Sequence, residues 1–259
     1  MKLSVVVPVY NEEKTLAEIV GRVLAQPFDK EIILVDDGSK DRSREIMAEL
    51  KERHPEVRTI HHEVNKGKGG ALQTGFQNVT GDVVLVQDAD LEYDPNDYAA
   101  LLEPLQSDKA DVVYGSRFRK VPSGKVHAFW HTHGNRMLTL VSNMFTDLHL
   151  SDMETCYKVF KADIARRLDI QSRTFAVEPE VTAKVAKMNV RIYEVPISYH
   201  GRNYHEGKKI GLKDAFIAMW AIFRWSFAKV EPLTPPGSPD GAAGASTAGA
   251  QALDAAKAD

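Results

Sequence analysis

An α/β fold built around a mostly parallel sheet is predicted by three features of the sequence. Apolar runs of strand length lack polar alternation, helical patterns fill the gaps between them, and Asp, Asn, Ser and Gly gather where strand gives way to helix. Strands are expected over Leu3–Tyr10, Glu31–Asp36, Val57–His62, Asp82–Gln87 and Asp111–Ser116. Continuous runs such as Ile32-Ile33-Leu34-Val35 and Val83-Val84-Leu85-Val86 suit strands covered on both faces. Beyond the fourth strand, Asp94 stands as a helix N-cap, with Pro95 at the first helical position and Asp97 in the first turn. Tyr98, Leu101, Leu102 and Leu105 then fall on one helical face.

The second half changes character. Arg117–Phe129 reads as a basic loop punctuated by Gly and Pro, followed by a helix with Leu138, Val141, Phe145 and Leu148 at helical spacing. A strand over Cys156–Lys161, a helix over Glu180–Met188 and a strand over Val190–His200 come next. A helix over Gly211–Lys229 sets Phe216, Met219, Trp220, Phe223 and Phe227 on one side. From Glu231 onward the chain is Pro, Gly, Ala and Ser, too poor in large apolar residues to repay its ordering entropy, so residues 231–259 are expected to be disordered.

Composition narrows the functional classes. With 259 residues, 43% of them apolar, the chain has the material for a sizeable core. The 33 Lys+Arg against 36 Asp+Glu give a net charge of −3, which excludes a general polyanion coat and with it a nucleic-acid partner; any bound anion needs a local basic site. A single cysteine, Cys156, excludes a disulfide framework and a thiol-only zinc site, leaving the cytosol as the default compartment. The N-terminal apolar run is too short for a signal peptide, and Ala215–Phe223 falls well short of the ~20 residues that cross a bilayer. Contact with a membrane surface stays open, and the residues specify no oligomeric state.

In parallel α/β sheets ligands bind at the carboxyl ends of strands. Three such ends here are rich in acids and amides: Pro8-Val9-Tyr10-Asn11-Glu12, Asp36-Asp37-Gly38-Ser39, and Asp88-Ala89-Asp90 with Glu92 behind it. Asp36-Asp37-Gly38-Ser39 also suits a plain βα turn. Asp88 and Asp90 sit one residue apart at a buried strand end, where they repel unless a cation lies between them, and a divalent metal with oxygen ligands answers that need. Lys66-Gly67-Lys68-Gly69-Gly70 lacks the spacing of a P-loop and reads either as a helix start with solvated lysines or as a contact to a bound anion.

The ordered set Val6-Val7-Pro8-Val9-Tyr10-Asn11-Glu12, Val35-Asp36-Asp37-Gly38-Ser39, Asn65-Lys66-Gly67-Lys68-Gly69-Gly70-Ala71 and Asp88-Ala89-Asp90 resembles the family 2 inverting glycosyltransferases of the GT-A fold. Ser116-Arg117-Phe118, Asp152-Met153-Glu154-Thr155-Cys156-Tyr157-Lys158-Val159-Phe160 and Glu194-Val195-Pro196-Ile197 make it similar to the dolichyl-phosphate mannose synthase branch, which moves a sugar from a nucleotide donor to a polyprenyl phosphate. The resemblance covers residues 1 to about 229, and implies a GT-A domain over 1–230, with a nucleotide-sugar half to about 117 and an acceptor half over 118–230.

It further implies that Pro8, Tyr10, Glu12 and Asp37 line the nucleoside pocket. Asp88, Asp90 and Glu92 would hold Mg²⁺ or Mn²⁺ against the donor diphosphate, although Glu92 stands where mannose synthases often carry Gln. Lys68, Arg202 and Lys208 would contact the donor, the last two from a basic loop that closes over the diphosphate. Mannose from GDP-mannose is the leading donor, with UDP-glucose and UDP-N-acetylglucosamine as alternatives. The intact Asp88-Ala89-Asp90 argues against a non-catalytic nucleotide-sugar-binding module.

The acceptor decides whether a base is needed. A sugar hydroxyl must lose a proton, whereas a polyprenyl phosphate arrives as an anion and asks only for cations. Arg117, Arg119, Lys120, Lys125 and Arg136 supply them beyond the fifth strand, Arg117 being the first choice to grip phosphate. Asp152 and Glu154 would serve as bases for a hydroxyl acceptor, or shape the sugar pocket for a phosphate. The aromatic face of the last helix, flanked by Arg224 and Lys229, reads either as core packing or as a peripheral anchor at the cytoplasmic membrane face.

Overall fold

The computed structural model describes residues 1–119, 129–174, 176–201 and 212–230. Expectations resting on Lys120, Lys125, Arg202, Lys208 and residues 231–259 lie outside them. The described strands are β1 (Leu3–Val9), β2 (Lys30–Asp36), β3 (Val57–His61), β4 (Val83–Val86), β5 (Val112–Ser116), β6 (Lys158–Lys161) and β7 (Ile192–Pro196). They form one seven-stranded sheet in the order β3-β2-β1-β4-β6-β5-β7. All neighbours run parallel except β6, which is antiparallel to both β4 and β5.

The helices are α1 (Leu16–Leu24), α2 (Ser43–Arg53), α3 (Gly67–Gln77), α4 (Tyr98–Gln106), α5 (Phe129–Thr146), α6 (Ala162–Arg167), α7 (Val177–Lys187) and α8 (Leu212–Ser226). The unbroken apolar runs occupy the sheet centre: Leu3, Val5, Val6, Val7 and Val9 of β1 and Ile32–Val35 of β2 are all buried. Each such side chain contributes roughly 1.5–3 kcal/mol on leaving water. Asp94 caps as its sequence position suggests, its side chain accepting from the Asn96 N–H at 3.0 Å. Pro95–Asp97 forms a 3₁₀ turn before α4, which buries Tyr98, Leu101, Leu102 and Leu105.

Several details depart from the sequence reading: β7 covers Ile192–Pro196 rather than Val190–His200, and α7 covers Val177–Lys187 rather than Glu180–Met188. The short helix α6 follows β6 directly, where the sequence offers too few residues for a helical period. Strand β6 begins at Lys158 rather than Cys156, because Lys158 turns inward to bond the carbonyls of Met153 and Thr155. On α8 the buried face is Ala218, Ala221, Ile222 and Trp225, packed against Leu138, Met153 and Ala183, so the aromatic side is not the core-packing side. Phe216, Trp220, Phe223 and Phe227 are exposed, alongside Leu140, Met144 and Phe145 of α5.

The start of α3 requires glycine for packing. A Cβ on Gly69 would stand 1.7 Å from the Ser172 carbonyl oxygen, and one on Gly67 (φ +79°) would stand 2.1 Å from that of Arg173. Gly69→Ala is expected to lower stability by roughly 1–3 kcal/mol through overpacking. Gly21→Ala in α1, where an added Cβ meets nothing within 4 Å, is expected to raise it by roughly 0.5–1 kcal/mol. Urea unfolding midpoints moving in opposite directions would show both effects.

Candidate active site

Because β2, β1 and β4 are neighbours, their carboxyl ends lie side by side and deliver three loops to one edge of the sheet. Pro8 is partly buried near the end of β1, and Tyr10 beyond it is 46% exposed. The first two loops are stitched together: Asn11 N–H donates to Ser39 Oγ, Lys40 N–H to Asn11 Oδ1, and Glu12 N–H to Ser43 Oγ. The Glu12 carboxylate accepts from the Thr15 hydroxyl at 2.7 Å.

Asp37 is buried and serves α3. Its Oδ1 accepts from the Lys66 N–H and lies 2.8 Å from His62 Nδ1, while Oδ2 accepts from the Gly67 N–H at 2.7 Å. A carboxylate at a helix N-terminus meets unpaired N–H groups and the positive end of the helix dipole. The anion held at this terminus is therefore the protein's own, which favours the helix-start reading of Lys66–Gly70 over an anion contact through its backbone.

Behind β4 the loop is fixed by the buried Gln87, which accepts from the hydroxyls of Tyr98 and Tyr157 and donates to the Asp88 carbonyl. Leu91 sits at φ +64°, costly for a γ-branched residue and the kind of backbone strain found at functional loops. Lys68 from the first turn of α3 reaches this loop, its Nζ 3.0 Å from Asp88 Oδ1 and 3.3 Å from Glu178 Oε1. Glu178, on the first turn of α7, also pairs with the buried Lys158. Asp88 and Asp90 are both partly buried. Hard oxygen donors of this kind suit Mg²⁺ or Mn²⁺, which take one or two carboxylates and fill their shell with water and phosphate. Among the described residues no three His, Cys, Asp or Glu side chains are grouped to hold a metal by themselves. Glu92, the third expected ligand, is buried; its Oε2 accepts from the Tyr199 hydroxyl at 2.7 Å, and its carbonyl accepts from the His200 N–H.

On the acceptor side, Arg117 and Asp152 form a buried two-pronged ion pair, Nε and Nη2 each 2.7 Å from a carboxylate oxygen. Burial alone would lower the Arg117 pKa, but the Asp152 charge holds it well above the ordinary value. The expectations of a guanidinium free for phosphate and of Asp152 as a free base are thus revised, since each group occupies the other. Glu194 fixes the same turn, accepting from the Ser151 and Asp152 N–H groups and pairing with Arg119 at 2.8 Å. Arg136 on α5 is exposed; its guanidinium lies 5.7 Å from the Phe118 ring centre, and the Arg117 guanidinium lies equally far from that ring.

Glu154 has a buried oxygen, Oε1, with no hydrogen-bond partner. Burial, and next the charge of Glu178, push its pKa up to about 8, so the carboxyl is mostly neutral at pH 7. Burial also raises the Cys156 thiol, with the Asp88 charge adding to it, which keeps it an unreactive thiol. The sequence reading missed Glu178, which looks like an ordinary acid in a helix's first turn, and Tyr199, which carried no motif.

A sheet of this order, with carboxylates at the ends of β1, β2 and β4, has the GT-A fold. The family described as Glycosyl transferase family 2 matches residues 4–169, and the chain belongs to that family and is a glycosyltransferase. It is 30% identical over 221 residues to the undecaprenyl-phosphate mannosyltransferase of Micrococcus luteus, covering 82% of this chain and 88% of that protein. It is 39% identical over 230 residues to the dolichol-phosphate mannosyltransferase of Pyrococcus furiosus, covering 86% of this chain and 63% of that one. Among solved structures, the glucosyl-3-phosphoglycerate synthase of Mycobacterium tuberculosis, in complex with Mn²⁺, uridine diphosphate and phosphoglyceric acid, shares the fold. Its TM-score is 0.67 at 16% identity, over 88% of this chain and 79% of that one.

The Glu154 carboxyl gives a pH signature. A carboxyl whose folded pKa is raised from 4.5 to about 8 binds more protons folded than unfolded, so it costs stability progressively as pH rises through that window. Glu154→Gln keeps the shape without the charge. Its melting temperature is expected to stay close to wild type near pH 5 and to exceed it by roughly 10 °C or more at pH 8.5, the rise from 4.5 to about 8 amounting to ~4–5 kcal/mol at ~2–4 °C per kcal/mol for a domain of this size.

Proposed function

We propose that this glycosyltransferase carries out inverting, metal-dependent transfer of a hexose from a nucleoside-diphosphate sugar to a polyprenyl phosphate. Mannose from GDP-mannose is the leading donor, with UDP-glucose and UDP-N-acetylglucosamine as the alternatives. The observation that carries the acceptor assignment is the state of the acceptor-side carboxylates. Asp152 is spent on Arg117 and Glu154 is mostly protonated, so neither is a ready base at neutral pH. A phosphate monoester is already anionic there and needs none. The similarity to the undecaprenyl-phosphate and dolichol-phosphate mannosyltransferases of Micrococcus luteus and Pyrococcus furiosus supports the same acceptor class.

In this reading Pro8, Tyr10 and Glu12 border the nucleoside, with Asp37 shaping the pocket from beneath by fixing α3. Asp88 and Asp90 hold Mg²⁺ or Mn²⁺, which neutralises charge on the departing diphosphate. Lys68 stands on that side as a further cation. Arg136, open to solvent beside Phe118, steers the acceptor phosphate, and Arg117 with Asp152 fixes the backbone around it. A phosphate oxygen forms the new bond to the anomeric carbon as the bond to the diphosphate breaks on the opposite face, which inverts the centre without a proton transfer. Arg202 and Lys208 complete the proposed donor contacts.

The exposed aromatic face formed by α5 and α8 supports peripheral contact with the bilayer in which such an acceptor lies. Phe145, Trp220, Phe223 and Phe227 form a continuous set of ring contacts, with neighbouring centroids 5.1–6.2 Å apart. Among the described residues no helix is long and apolar enough to cross a membrane. The double variant Trp220→Ser, Phe223→Ser is expected to co-sediment with anionic phospholipid vesicles at least fivefold less than wild type while keeping its melting temperature.

Transfer is tested with labelled GDP-mannose, UDP-glucose and UDP-N-acetylglucosamine, a short polyprenyl phosphate and Mn²⁺. Lipid-linked product from one donor is expected, abolished in Asp90→Ala and with its acceptor KM raised roughly tenfold in Arg136→Ala, a ~1.4 kcal/mol loss. A second reading, a hydroxyl acceptor, has Glu154 as its base, in the carboxylate form that predominates only above about pH 8. Transfer to a sugar hydroxyl but to no lipid phosphate, lost in Glu154→Gln with donor binding intact, would replace the first reading by the second.

A further inference from the structure

The position of Lys68 has a consequence beyond donor contact. Its ammonium bridges two carboxylates, 3.0 Å and 3.3 Å from the oxygens of Asp88 and 3.3 Å from Glu178 Oε1. The helix that carries it is held in place: Asp37 pins the N–H groups of Lys66 and Gly67, and Gly69 packs on Ser172. The side chain is freer, about a third exposed, and Asp88 is partly buried. Lys68 thus occupies the charge position beside Asp88 that a divalent cation needs, and it has a second carboxylate already within reach.

We propose that Lys68 is the resident counter-ion of Asp88, that a divalent cation must displace it to bind, and that Glu178 is the station to which it is displaced. This inference rests on the metal-dependent reading above. A doubly charged ion at Asp88 repels the ammonium, and Glu178 receives it without leaving an ion unpaired. Glu178 meanwhile keeps its pairing with Lys158, so its negative charge is shared between two lysines. The ammonium offsets part of the negative charge that Asp88 and Glu178 bring to this end of the sheet. Metal alone is therefore expected to bind weakly, since its attraction to Asp88 is offset by the ion pair it breaks.

The test is Mn²⁺ binding to the full chain without nucleotide, read from the electron paramagnetic resonance signal of free Mn²⁺. Lys68→Met is expected to bind Mn²⁺ at least fivefold more tightly than wild type, and Glu178→Gln at least threefold more weakly, because Lys68 then has only Asp88 to pair with. The double variant separates displacement from a general field effect. If Glu178 acts through Lys68, Glu178→Gln has no further effect in the Lys68→Met background; if both charges act only through space, the two effects multiply. Lys68→Gln repeats the measurement should Lys68→Met fail to fold. Unchanged or weaker Mn²⁺ affinity on removing Lys68, or effects that multiply, would overturn the proposal. Failure of every form to bind Mn²⁺, even with saturating GDP or UDP, would instead overturn the metal-dependent reading on which it rests.

Discussion

The carboxylate of Asp37 holds together the parts on which the donor side depends. It leaves β2 buried, and three donors aimed at it, two backbone N–H groups and the imidazole of His62, offset the cost of taking it out of water. In turn it fixes where α3 begins. That point decides where Lys68 projects, and Lys68 pairs with Asp88. One buried carboxylate therefore couples the second strand to the loop beyond the fourth, which the sheet order places two strands away.

The acceptor half is organised by paired charges of a different kind. Arg117–Asp152 is buried, and Arg119–Glu194 joins the start of that half to β7. Buried pairs contribute little net stability, because desolvation offsets their attraction, yet removing one partner leaves the other charged in a poor solvent. They are best understood as positioning devices. Around them the hydrogen bonds from Ser151 and Asp152 to Glu194 leave the turn few alternatives.

How much of this was readable from sequence depended on the range of each interaction. The core strands were plain, since runs such as Val83–Val86 carry their own evidence of burial on both faces. The Asp94–Pro95 helix start was equally local and formed as its residue types dictate. The three acidic strand ends followed from the rule for parallel sheets, and the family from the order of motifs. What the sequence did not disclose was who faces whom. Arg117 looked like a free cation and Asp152 like a free base until the fold set them 2.7 Å apart, across 35 positions of chain. Glu92 sat in line with two metal-type carboxylates but turned toward Tyr199, more than a hundred residues away. The aromatic stripe of α8 was visible as a stripe, but amphipathic spacing does not say which side meets the core.

The reversed strand β6 has a consequence for how such a protein diversifies. Strands β5 and β6 are adjacent and antiparallel, with Tyr114 opposite Lys158 and Gly115 bonded to the Tyr157 carbonyl. The described residues between them, 117–119 and 129–156, lie outside the sheet, and the chain leaves it after β5 and returns beside it in β6. The ends of this excursion are tied to Tyr93 and Glu194, whereas its outer face, with Leu140 and Met144 of α5 exposed, can change without touching the register of any strand. The chain is in effect a constant frame carrying one exchangeable cassette, and new acceptors are open to exploration by rewriting the cassette while the frame stays as it is.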